Sequence, residues 1–156
     1  MQKSPFTIQT LDKSTSRNSI SFEDANVVFV SDFFTDEYTG GAELSTEALF
    51  ESAPFQVFKL KSQELTQDHI SRGAEKIWVF FNFSSMNLNL VPTVVGNLYY
   101  YIVEYDYKFC RYRSIEKHAA DAGTECDCHK QEYGMFVSAF LAGAEHIFWM
   151  SQAQKK

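Results

Sequence analysis

Three groups of residues in this sequence pair chemically active side chains with spacing that could let them act together. The tripeptide Glu104-Tyr105-Asp106 closes an apolar run, and a carboxylate at a strand end can deprotonate a hydroxyl as a general base. The same tripeptide can also serve as a loop cap, with Asp106 turning the chain and Glu104 solvated. Cys110, Cys126, Cys128 and His129, with His118 between them, place soft and borderline ligands within about twenty residues, a set that suits zinc. They lack the C-x2-C knuckles of a strong zinc motif, and free thiols also pack as small apolar groups, so both readings stand. Neighbouring this second group, Lys108, Arg111, Arg113 and Lys117 are the basic cluster of the chain, either a solvated loop face or a contact for an acidic acceptor or partner. The third group is Gly40-Gly41 with Glu43. Glycines at a helix start expose backbone N–H groups to a phosphate or sugar, and they equally allow a plain chain reversal. His69 and His146 are isolated and read as surface or strand-end residues.

These groups need elements to hold them. Val27 to Val30 is an apolar, β-branched run that predicts a strand buried on both faces. Behind the glycines, Ala42, Leu44, Ala48 and Leu49 recur at helical spacing, with Glu43 in the first turn, where the helix dipole favours an anion. A second strand is expected over Phe55 to Leu60 and a short helix over Leu65 to Arg72, ended by Gly73. Lys76 to Phe83 reads as a central strand. A short helix then starts near Val91, with Pro92 in its first turn, and Leu98 to Glu104 makes a fourth strand. Tyr105 to Lys130 reads as a long irregular piece. A helix from Gln131 to Gly143 follows, with Tyr133, Phe136, Val137, Phe140 and Leu141 on its apolar face, then a strand over His146 to Met150 and a capping Ser151. Alternation of this kind predicts an α/β, Rossmann-like three-layer domain with a parallel sheet of about five strands, in the order 3-2-1-4-5. Ligands of such sheets bind at the carboxyl ends of the strands, here Ser31 to Gly41, including Asp32, and Glu104 to Asp106.

Composition narrows the function classes. The chain has 156 residues, enough for one domain with a real core, and 45% hydrophobic content argues against disorder. A formal charge of -6 argues against nucleic acid or an anionic membrane as partner, since both need a basic face. Three cysteines gathered in the last third do not read as a secreted disulfide framework. With no apolar leader and no membrane-length apolar run, the expected compartment is the cytoplasm. Residues 1–25 read as a polar N-terminal extension and 26–156 as the domain.

The segment VVFVSDFFTDEYTGGAELSTEAL resembles the first β-loop-α unit of nucleotide-sugar glycosyltransferases of the GT-B type, in which such a strand leads through a loop to G-G-A-E. YDYKFCRYRSIEKH, ECDCHKQEYG and GAEHIFWMS are similar to the second half of the N-terminal domain in a phage or bacterial branch of these enzymes. The likeness implies an acceptor-side domain that binds a carbohydrate or glycoconjugate acceptor and needs no cofactor beyond the nucleotide-sugar substrate. A separate donor domain, here a possible partner chain, would hold that substrate. It places Asp106 as the catalytic base, with Tyr105 standing where the family often has His. Gly40, Gly41, Glu43, Asp32, Glu104 and Tyr105 then fall around the substrate. Glu43 and Glu51 match the E-x7-E donor signature only by coincidence, because in the family that signature lies in the other domain. The resemblance implies that this chain alone is incomplete and inactive. A non-catalytic α/β interaction module, stapled by zinc, is the alternative.

Overall fold

The computed structural model describes residues 20–152 and 154. Five strands form one all-parallel sheet: β1 (Val27–Ser31), β2 (Val57–Lys61), β3 (Ile77–Phe80), β4 (Tyr99–Glu104) and β5 (His146–Trp149). Five helices connect or flank them: α1 (Gly41–Ser52), α2 (Gln67–Arg72), α3 (Val91–Asn97), α4 (Ile115–Ala122) and α5 (Glu132–Gly143). The α/β class and the five-stranded parallel sheet agree with the sequence.

The strand order is β2-β1-β3-β4-β5, which corrects the expected 3-2-1-4-5 in one placement. β3 lies between β1 and β4 rather than beyond β2. Burial supplies the reason: Trp78 and Phe80 are fully buried, which an edge strand beyond β2 would not provide. The chain leaves β1 toward β2 and leaves β3 toward β4, so the switch point falls between β1 and β3.

The two faces of the sheet have separate cores. On one, Val28, Val30, Trp78, Phe80, Tyr100 and Ile102 pack with Ile70, Val94, Val137 and Phe140 of the helices α2, α3 and α5. Phe22, ahead of β1, belongs to this core. On the other face, Val27, Phe29 and Val103 pack with Phe50 of α1. The buried face of α1 is Glu43, Thr46 and Phe50, not the Ala42, Leu44, Ala48 and Leu49 stripe; Leu44 is 55% exposed. Large Phe50, one turn beyond Thr46, sets the rotation of the helix against the sheet.

The polar extension expected at the N-terminus lies, up to residue 19, outside the described residues, as do residues 153, 155 and 156 beyond the expected cap. Ser151 Oγ accepts from the Gln154 N–H at 3.2 Å.

Candidate functional site

In a parallel sheet all carboxyl ends meet at one edge, and the predicted residues gather there. Gly40 caps α1 and Gly41 opens it, at the same edge as Asp106 beyond β4. The two glycines differ. A Cβ on Gly41 would meet nothing within 4 Å, whereas one on Gly40 would lie 2.5 Å from Oε2 of Glu43 and 2.9 Å from the Tyr38 ring. The carboxylate of buried Glu43 therefore folds back over Gly40, putting the chain's own anion where the helix dipole favours negative charge.

Asp32, expected near the substrate, is buried and fully engaged. It accepts from the Ser62 hydroxyl, from the Ser84 N–H at 3.0 Å and from the Ser85 N–H at 3.0 Å. One carboxylate thus ties together the loops that follow β1, β2 and β3. Ser62 is isolated in sequence from its partners, and no spacing rule pointed to it.

At the end of β4, Glu104 is buried and meets the fully enclosed Lys108 ammonium at 2.5 Å. Burial raises the Glu104 carboxyl above its usual range, and Lys108 acts against that shift. Lys108 also reaches Asp106 at 3.1 Å and lies over the Phe83 ring. Asp106 remains partly exposed and holds Arg113 through both oxygens, at 3.1 and 3.0 Å. The same guanidinium donates to the Ser84 hydroxyl. Tyr105 turns under α1, sharing a hydrogen bond with the Thr46 hydroxyl at 3.2 Å and stacking on Phe81. Burial raises its phenol. Among the groups left open along this edge are Gly41, part of Asp106, Arg113 and the Ser84–Ser85 turn, with Phe33 and Tyr38 of the loop after β1.

The segment after β4 is more ordered than the sequence reading expected. α4 runs inside it, capped by the Ser114 hydroxyl, which accepts from the Lys117 N–H, and ended by Gly123 at φ 70°. Its one buried residue is His118. Cys110, His118, Cys126 and Cys128 bring their ligand atoms within 4.8 Å of one another, a Cys3His cluster that could hold a metal. His118 Nδ1 lies 3.5 Å from Sγ of both Cys110 and Cys128, and those two sulfurs are 4.0 Å apart. All three thiols are free. Burial pushes the Cys126 thiol up to about 11. At Cys110 burial also acts upward, but hydrogen bonds from the Tyr112 backbone and from the Cys126 and Cys128 thiols outweigh it, so that thiol is lowered.

The ligand set expected from sequence needs one correction: His118 replaces His129. Cys128 to Lys130 form a 3-10 turn, whose successive side chains point about 120° apart, so a buried Cys128 turns His129 to solvent. Helical position decides the exchange, because His118 is the residue of α4 that faces inward. Gly134 in α5 was overlooked in the sequence, yet its missing Cβ leaves room for the Cys128 carbonyl, which a larger residue would overlap.

Searched against known proteins, the chain matches no family model, no curated protein and no solved structure. Among the described residues no helix is long and apolar enough to cross a membrane.

Proposed function

We propose that this chain is the acceptor-side domain of a GT-B type nucleotide-sugar glycosyltransferase, with a structural zinc in its Cys3His cluster. The observation that carries the reading is the shared sheet edge: the Gly40-Gly41 start of α1 and the partly open Asp106 lie together at the carboxyl ends of parallel strands, where α/β domains bind ligands. In this reading Asp106 takes the acceptor proton, while Arg113 and the Ser84–Ser85 turn line the acceptor path.

A second domain, on this proposal, brings the donor. Glu43 already sits at the N-terminus of α1 and competes with a donor phosphate there. On the face of the sheet opposite α3 and α5, Tyr99, Tyr101, His146 and Phe148 form a ring-to-ring strip, and Phe148 is 51% exposed. Parallel sheets are ordinarily covered on both faces, so this strip fits a partner domain.

Zinc suits the cluster because three thiolates and one imidazole make a closed, four-ligand set, the pattern of structural rather than catalytic zinc. This cluster also favours a second reading, a zinc-stapled interaction module without catalysis.

The test is a binding and turnover panel of nucleotide sugars and acceptors, run on the chain alone and with a donor-domain protein. Acceptor binding by the chain alone, with transfer only in the mixture, is the expected result. A panel with no binding and no transfer in either arm overturns the glycosyltransferase reading and leaves the module.

A further inference from the structure

We propose that the metal held by Cys110, His118, Cys126 and Cys128 is what positions Arg113 against Asp106 and Ser84, so that the metal cluster and the strand-edge site form one mechanical unit. The inference rests on the reading that the cluster takes zinc, and it assigns that ion a task at the site.

Three of the four ligand atoms already stand at the spacing of the required polyhedron, and the fourth, from Cys126, lies within 4.8 Å of them. Zinc bonds of about 2.3 Å to sulfur and about 2.0 Å to nitrogen, in a tetrahedron, put two sulfurs about 3.8 Å apart and a sulfur and a nitrogen about 3.5 Å apart. The cluster has 4.0 Å between Cys110 and Cys128 Sγ and 3.5 Å from each to His118 Nδ1. A disulfide would instead need about 2.05 Å. On binding, each cysteine releases its thiol proton to solvent and ligates as thiolate, giving a Zn(Cys)3(His) centre of net charge about -1.

The two ends of the segment pack on the domain, Phe109 against the core and the Cys128 turn on Gly134 of α5, and the α4 stretch between them is the weakly anchored part. α4 spans 8 residues, and its sole inward anchor is the ligand His118. An isolated helix of that length is marginal in water. Cys126 lies in irregular chain and Cys128 in a 3-10 turn.

Arg113 stands between two ligands, three residues after Cys110 and five before His118. Its backbone is left-handed, φ 62°, the one positive-φ non-glycine among the described residues. That conformation is disfavoured for a residue with a Cβ and persists where the surroundings impose it. Here the Arg113 N–H donates to the Cys110 carbonyl at 2.9 Å, closing a turn directly on a ligand. This turn aims the guanidinium at Asp106 and Ser84. Arg113 is therefore a positioning residue, and the metal sets its backbone.

The experiment uses the full chain. Metal content should be about one zinc per chain, and cobalt substitution should give thiolate charge-transfer bands with tetrahedral visible bands. His129→Ala should leave the cobalt spectrum unchanged and His118→Ala should alter it. Hydrogen exchange is then compared between zinc-loaded and chelated protein. Amides of residues 111–119 should exchange at least about tenfold faster after chelation, while those of β1 and β3 stay protected. Arg113→Ala should keep cobalt affinity, because the dependence runs from metal to arginine. A chain with neither zinc nor a cobalt spectrum overturns both the metal reading and this inference. Metal binding with unchanged protection of 111–119 after chelation overturns the inference alone, as does a tenfold or greater loss of cobalt affinity in Arg113→Ala. None of these measurements uses a sugar nucleotide, so a failed transfer assay leaves them intact.

Discussion

Replacing Asp32 separates a structural carboxylate from a substrate-binding one. Its two oxygens take three donors, the Ser62 hydroxyl and the Ser84 and Ser85 N–H groups. Asp32→Ala leaves all three without their acceptor. The Ser84 and Ser85 N–H groups belong to exposed residues and regain water, at about 1 kcal/mol each, whereas the Ser62 hydroxyl is fully buried and costs about 1–2 kcal/mol. The expected loss is about 3–4 kcal/mol. Asp32→Asn is milder: whichever way the amide turns, its NH2 faces one of the two backbone N–H donors, so one bond is lost for about 1–2 kcal/mol. Urea denaturation measures both, and with a slope of about 2 kcal/mol per molar the alanine variant should unfold about 1.5–2 M earlier. Ser62→Ala in a double-mutant cycle with Asp32→Ala should show coupling of about 1 kcal/mol. Both Asp32 variants staying within about 0.5 kcal/mol of the parent, or the asparagine variant losing ligand binding at unchanged stability, would refute the structural assignment.

Gly134→Ala forces a Cβ into the Cys128 carbonyl, which is backbone and cannot swing aside; we expect about 1–3 kcal/mol of lost stability together with weaker cobalt binding, measured by denaturation and metal titration. Tyr100 donates to the Phe140 carbonyl at 2.6 Å, and burial raises its phenol. Above pH about 10 the unfolded chain loses this proton while the folded chain keeps it, so stability is intact below that pH and falls as pH rises, by up to about 1.4 kcal/mol per pH unit. Denaturation at stepped alkaline pH should show that slope, and Tyr100→Phe should reduce it, leaving the share of the other buried phenols, Tyr105 and Tyr133.

The elements of this protein are written locally. The run Val27 to Val30 can hardly avoid being a buried strand, Gly40 and Gly41 start a helix, and Gly73 ends one, because each depends on near neighbours in the chain. The α/β class follows from their alternation. The apolar character of Lys76 to Phe83 likewise pointed to a central strand, and Trp78 and Phe80 are buried as that requires. Which strands it pairs with is decided by long-range burial, and there the order 3-2-1-4-5 gave way to β2-β1-β3-β4-β5. The carboxylates show the same division. Sequence places Asp32, Glu104 and Asp106 at strand ends, but only the packed structure brings Ser62 and Ser84 to Asp32, encloses Lys108 against Glu104, and leaves Asp106 partly open beside Arg113. The composition of the metal cluster was legible and its imidazole was not. Three cysteines within twenty residues announce soft ligands, yet the choice between His118 and His129 depends on which way α4 and the turn at Cys128 face, and a sequence does not carry that rotation until the helices have docked on the sheet.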